Sequence, residues 1–193
     1  MISLTTTNET GERMVVQSLF TGMRFMAQKK STSKSARQYW LFKSEPEAYS
    51  ITHLANEPTK TTFWFGVRNY QARNLLRDTI QLGDRVLFYH SNAKPMAIVG
   101  TAEVVKTGYP DHTAFEPQHQ YYDPQSDPEQ PRWFMVDIRL LQVFPKPVTR
   151  DDLKACADLS EMMVIRPGAR LSIQPVTSAE WQTVHRLAGV KAI

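Results

Sequence analysis

Short strands punctuated by turns and separated by short capped helices give the chain an α+β character, and the strand patterning points to a closed β-barrel. Three observations carry this. In RVLFYHS, Val86, Phe88 and His90 share one face while Leu87, Tyr89 and Ser91 share the other, so both faces are partly apolar. In the next strand Gly100 and Ala102 form a lane of small residues, which either fits a tight barrel interior or leaves room for a flat ligand. In WFMVDIRLLQVFP the apolar parity set by Val136, Ile138 and Leu140 switches at Leu141 and Val143. A bulge near Leu140 and Leu141 reconciles the two halves, and such kinks help barrels close.

The elements follow in order from Tyr39. YWLFK is a strand that ends at SEPEAY, where Pro46 stops pairing, and Ser50 caps a short helix through Leu54. A second helix is predicted over Arg68–Arg77. Gly83 and Asp84 turn the chain into RVLFYHS, and NAKP turns it again into AIVGTAEVVKTGY, a β-hairpin. Residues Lys106–Arg132 carry Pro110, Pro117, Pro124, Pro128 and Pro131, which exclude a regular helix or central strand. This long loop has its own aromatic anchors and five carboxylates that repel a phosphate backbone, so it is expected to wall a pocket and not to track a nucleic-acid strand. After the longest strand, Thr149 opens a helix through about Ala155. Thr177 and Glu180 form a capping box for a last helix, with Trp181, Val184 and Ala188 facing inward and Gly189 ending it.

Composition narrows the function. With 193 residues and 41% hydrophobic content the chain fits one domain, or one domain plus a tail. No apolar run approaches the roughly 20 residues that span a bilayer, so no membrane role is expected. A single cysteine, Cys156, excludes an internal disulfide and suits a reducing, cytoplasmic setting, nuclear in a eukaryote. The five histidines lack the short repeated spacing of a zinc site, so neither metal nor cofactor is expected. Of the 23 basic and 19 acidic residues, six basic and two acidic ones fall within Met1–Arg37, and this tail holds the whole net charge of +4. The remainder carries 17 of each sign, which argues against strong non-specific DNA binding by the domain alone.

The tail, 1–37, reads as disordered, with KKSTSKSARQ at its end. VVQSLFTGMRFMA is mildly amphipathic, but Glu9 and Glu12 argue against a transit peptide. Met23 and Met26 are alternative starts. The domain proper covers 38–193 and is expected to be a monomer.

WFGVRNYQARN, Trp64 to Asn74, places an aromatic plate, a glycine turn and two spaced arginines at one helix start. Gly66 lets the backbone turn beside a ligand, and the unpaired amides of a helix mouth favour a phosphate. Arg68 and Arg73 would reinforce that, with Trp64 stacked on a base, an interaction worth roughly 1 to 3 kcal/mol. On composition alone Trp64 reads first as a core plug, and the arginines as solvated.

YWLFKSEP, WFGVRNYQARN, LFYHSN, GYPDHTAFE and RLSIQP, in this order over about Tyr39–Leu187, resemble the EVE-domain proteins of the thymocyte nuclear protein type. The resemblance implies a PUA-like mixed β-barrel of about five to six strands with surrounding short helices, related to YTH domains. It also implies binding of modified bases, notably C5-modified cytosine in DNA. The matching positions are Lys43, Ser44, Glu45 and Pro46; Trp64, Gly66, Val67, Arg68, Asn69 and Arg73; Tyr89, His90 and Ser91; Tyr109, Pro110 and Asp111; and Ser172, Ile173 and Gln174. Phe65 departs from the pattern, since many members carry a carboxylate there, so that contact must come from Glu45, Asp111 or a carbonyl.

The reading that follows is a non-catalytic binder. A base enters a pocket under Trp64 or Trp133, tyrosines and Pro110 wall it, and Ser44, Asn69, Ser91 or a main-chain amide reads its polar edge. Trp64→Ala is expected to abolish binding and leave the fold intact. The alternatives are an ASCH-like enzyme using Lys43, Glu45 or His90 on a nucleotide or small amide, an RNA-binding module, and a protein-interaction module working through the tail. KSEP and SIQP are equally readable as turns that satisfy the backbone. Adjacent strand residues point to opposite faces, so His90 and Ser91 do not form a nucleophile pair.

Overall fold

The computed structural model of the protein describes residues 36–193, so nearly all of the basic tail lies outside the described residues, including its expected disorder and the VVQSLFTGMRFMA segment. Six strands form one mixed sheet: β1 (Tyr39–Ser44), β2 (Thr61–Trp64), β3 (Arg85–His90), β4 (Ala97–Pro110), β5 (Phe134–Thr149) and β6 (Ile173–Val176). Their order is β2-β5-β4-β3-β1-β6, with β1 and β3 parallel and every other pair antiparallel. A parallel pair needs a crossover, and here it contains helix α1 (Ile51–Asn56), strand β2 and helix α2 (Tyr70–Asn74).

The sheet is open, which corrects the expected barrel. Among the described residues the end strands β2 and β6 do not pair with each other. The apolar signal on both faces was real but has another cause, because helices cover both sides. One core gathers Trp40, Phe42, Val86 and Phe88 from the sheet with Ile51 and Leu54 of α1 and Leu76 beyond α2. The other gathers Leu41, Leu87, Tyr89 and Ile98 with Leu153 of helix α3 (Arg150–Ala155) and Trp181 and Val184 of helix α4 (Ser178–Ala188). Alternate residues of β1 and β3 therefore feed opposite cores.

The bulge lies where the parity change placed it. Thr101 pairs with Gln142 and Ala102 with Leu140, which leaves Leu141 unmatched. Gly100 settles the small-residue lane: an added Cβ would come within 2.4 Å of the Gln142 carbonyl, so the lane admits the backbone of β5 and no flat ligand.

Local capping sets the helix boundaries. Ser50 accepts from the His53 amide and α1 continues to Asn56, two residues past expectation. The second helix starts at Tyr70, not Arg68, because the Asn69 side chain accepts from the Ala72 amide. It ends in a wider π-helical turn over Leu75–Thr79. Thr149 and Thr177 form reciprocal capping boxes with Asp152 and Glu180, and Gly189 closes α4 at φ 71°. The proline-rich loop begins later than expected, since β4 runs on through Lys106 to Pro110, where proline sits at the strand's last position opposite Phe134.

Candidate nucleic-acid interface

A cavity of about 610 Å³ opens where the end of β1, strand β2 and the turn after it meet the proline-rich loop. That volume is typical of small-molecule sites, which run from about 300 to 1,000 Å³. Lys43, Ser44 and Glu45 form one wall; Thr62, Phe63, Trp64, Phe65, Gly66, Val67 and Arg68 form the next. Gln120 and Tyr121 close it from the loop, with Tyr49, Ser91, Arg170 and Ser172 at its margins.

Trp64 borders this cavity without being an open plate. It is only 8% exposed, with its ring 5.3 Å from Phe42 and edge-on to Phe88 at 5.4 Å. The expected stacking platform is thus largely a core residue that forms the floor. The more accessible rings are Phe63, Phe65 and Tyr121, and Phe65 meets Tyr121 edge-on at 5.9 Å. Gly66 makes that wall possible: at φ 78° it turns the chain, and an added Cβ would lie 2.5 Å from the Tyr121 ring.

Beneath the wall sits a buried ion pair. Asp111 is fully buried and accepts from the Gly66 amide at 2.9 Å, from Arg68 at 2.7 Å and from the Thr113 amide and hydroxyl. Burial pushes its carboxyl upward, but the bonds from Arg68, Thr113 and Gly66 outweigh it and hold the group below its ordinary value. Asp111 is therefore spent on the scaffold; of the groups expected to stand in for a carboxylate at position 65, Glu45 and backbone carbonyls remain, and Glu45 lines the cavity while accepting from Asn92 at 2.6 Å.

Arg68 likewise has no donor to spare. Its Nε and one Nη2 hydrogen go to the Tyr121 carbonyl, the other Nη2 hydrogen to Thr113, and the Nη1 pair to Asp111 and the Val67 carbonyl. A guanidinium carries five such hydrogens, so all are engaged. The cation also lies over the rings of Tyr121 and Trp133, 5.4 Å from each centroid. Arg73 donates to the Arg132 carbonyl at 2.6 Å and lies outside the cavity. Of the expected phosphate-holding pair, Arg68 instead ties the proline-rich loop to the turn after β2, and Arg73 ties the end of that loop to α2.

Nine of the residues matched by motif meet at the cavity: Lys43, Ser44, Glu45, Trp64, Gly66, Val67, Arg68, Ser91 and Ser172. The other ten do not line it, and most have structural partners. Asn69 caps a helix, and His90 accepts from the Ile51 amide at 3.1 Å, which leaves its ring held below its ordinary value by burial. Tyr109 donates to Asp137 and is pushed upward by burial and by that carboxylate. Pro110 ends β4, and Pro46 lies in the turn after β1. Trp133 is buried, stacks on Tyr70 at 5.0 Å and donates to Asp123 at 2.6 Å, so no base fits under it. Gln174 is buried in β6 and donates to the Leu171 carbonyl, while Tyr89 faces a second, smaller cavity.

Ser44 and Lys43 are also tied to the backbone, through the Tyr49 and Ala169 carbonyls at 2.7 and 3.0 Å. Burial holds the Lys43 ammonium below its ordinary value, helped by the nearby Arg150 charge. Sequence reasoning missed Tyr49, Thr62, Phe63, Tyr121 and Arg170 as lining residues. The aromatic anchors of the proline-rich loop were the available signal for Tyr121. Among the described residues, no three His, Cys, Asp or Glu side chains gather into a metal site, and no helix is long and apolar enough to cross a membrane.

Residues 38–187 match the EVE domain family. Over 174 residues the chain is 40% identical to thymocyte nuclear protein 1 of Rattus norvegicus, covering 82% of this chain and 76% of that protein. Among solved structures, a hypothetical protein from Leishmania major superposes with a TM-score of 0.75 at 40% identity, covering 79% of this chain and 95% of that one. Human THYN1, crystallised in complex with 5-methylcytosine-containing DNA, superposes with a TM-score of 0.74 at 39% identity, covering 80% and 99%. Five motifs in order, a six-stranded mixed sheet and relatives of this similarity agree: the chain belongs to the EVE domain family.

Proposed function

We propose that the protein is a non-catalytic reader of a modified base in nucleic acid, with C5-modified cytosine in DNA as its ligand, taken into the cavity as a flipped base. The observation that carries this is the cavity itself, of mixed character, with the rings of Phe65, Tyr121 and Trp64 on one part of its lining and the polar side chains of Ser44, Ser91, Ser172 and Glu45 on another. A flat heterocycle suits such rings, and the polar groups suit its hydrogen-bonding edge. The solved relative that holds 5-methylcytosine-containing DNA supports DNA over RNA. Binding is favoured over turnover because Lys43, Glu45 and His90, the groups an enzyme would use, are already bonded to the Ala169 carbonyl, the Asn92 side-chain amide and the Ile51 amide.

A methyl group seated in an apolar recess contributes about 0.8 kcal/mol, a severalfold preference. The test is fluorescence anisotropy with two duplexes that differ in a single 5-methyl group. The parent is expected to prefer the methylated duplex severalfold, and Phe65→Ala and Tyr121→Ala to lose the preference. Equal affinity of the parent for both duplexes overturns the reading.

A further inference from the structure

We propose that the second cavity, about 420 Å³ and contiguous with the first, is the seat of the sugar-phosphate backbone beside the captured base. This rests on the base-reading function and says where the rest of the strand lies. The two cavities share Lys43, Ser91 and Arg170, so a strand whose base enters the first passes directly over the second.

Its lining is one-sided in charge. Lys43, Arg150, Arg166 and Arg170 all face it, and among the described residues no Asp or Glu does. Because acidic and basic residues balance beyond Arg37, this concentration is local and not a reflection of net charge. Like charges crowded in a cleft repel unless an anion joins them. The Lys43 ammonium is held down chiefly by burial, and the nearby Arg150 charge adds to it.

The cradle stands on ordered backbone. Arg166, Pro167, Gly168 and Ala169 form a type II turn, with proline at its second position, Gly168 at φ 76° in its third, and the Ala169 amide returning to the Arg166 carbonyl. The turn sets Arg166 and Arg170 on either side, and the Lys43 bond to the Ala169 carbonyl pins it to β1. These arginines keep their donors available in a way that Arg68 does not. Arg150 makes one long bond, 3.4 Å, to the Ile165 carbonyl, and Arg166 pairs with Glu161, which is 85% exposed. Exposed ion pairs of that kind are weak and exchange readily for a phosphate.

The test is the salt dependence of binding to the methylated and unmethylated duplexes by the full chain and by the double variant Arg150→Gln/Arg166→Gln. Each phosphate contact removed lowers the slope of log affinity against log salt by about 0.9. The double variant is expected to lose nearly two units of slope and about thirtyfold in affinity near 0.15 M salt. The loss falls equally on both duplexes, and Arg150→Lys/Arg166→Lys retains most of the slope. Binding of the nucleoside 5-methyldeoxycytidine, which has no phosphate, is expected to stay unchanged, as is the thermal midpoint. An unchanged slope overturns the proposal. So does weakened binding of the 5′-monophosphate with no effect on either duplex, which would make the cleft a free-nucleotide phosphate site. The base-reading function is scored separately, by the parent's ratio between duplexes, so a lost slope without such a ratio sinks that function and leaves the cleft standing.

Discussion

Asp111 lies fully buried 2.7 Å from the Arg68 guanidinium, and this pair joins the turn after β2 to the proline-rich loop on the far side of the cavity. Both residues belong to the motifs that announce the family, yet their work is structural. They hold Gly66 and Tyr121 in place so that the cavity has a wall.

Asp111→Asn is expected to cost about 3 kcal/mol, since removing one partner of a buried pair leaves the other uncompensated. Denaturant unfolding measures this directly. The pH dependence has a definite sign: with its folded value below the ordinary 3.8, Asp111 contributes stability above about pH 4 that is lost as pH falls through the depressed value. Acid unfolding of Asp111→Asn should therefore lack that part of the parent's decline.

Trp64→Ala is expected to destabilise the fold by about 3 to 5 kcal/mol, because the ring is a core element packed on Phe42 and Phe88. This replaces the expectation that the fold would survive the change untouched. Trp64→Phe keeps most of the apolar contact and should fold with a smaller loss. Urea melts of the two variants give the comparison, and a parent-like midpoint for Trp64→Ala would contradict the burial.

Gly66→Ala combines two penalties, a positive φ and a Cβ placed 2.5 Å from the Tyr121 ring. The strain alone costs more than about 1 kcal/mol. Relief of the contact requires Tyr121 to leave its place, so ligand affinity should fall further than the stability loss explains. Calorimetric melting alongside oligonucleotide titration separates the two effects.

His90 and His185 are both held below the ordinary 6.5, His90 by burial and His185 by burial only partly offset by its bond to the Trp181 carbonyl. The unfolded chain therefore takes up these protons first as pH falls. Stability is at its full value above about pH 6.5 and declines as pH drops toward the depressed folded values. Midpoints measured at pH 7.5 and 5.5 should show the decline, and His90→Gln should make it shallower.

Much of the fold was legible because its signals are local. Ser50, Thr149 and Thr177 cap helices through side chains three residues from their targets, and a parity change within one strand locates the bulge at Leu141. Strands β2 and β6 were not legible, since four residues carry too little alternation and their pairing partners lie far along the chain. Barrel closure was misread for a related reason: two apolar faces look the same in a sequence whether a sheet curls onto itself or is covered by helices on each side.

The site divides along the same line. Residue order alone carried the family motifs, the glycine turn at Gly66, the balanced charge of the domain and the role of the proline-rich loop as a wall. Which arginines remain available to an anion was settled by contacts across more than 40 residues, where Arg68 reaches Asp111 and Tyr121 while Arg150, Arg166 and Arg170 converge on an open cleft. A guanidinium's partners are chosen by whichever acceptors the fold brings within about 3 Å, and spacing along the chain carries no record of that choice.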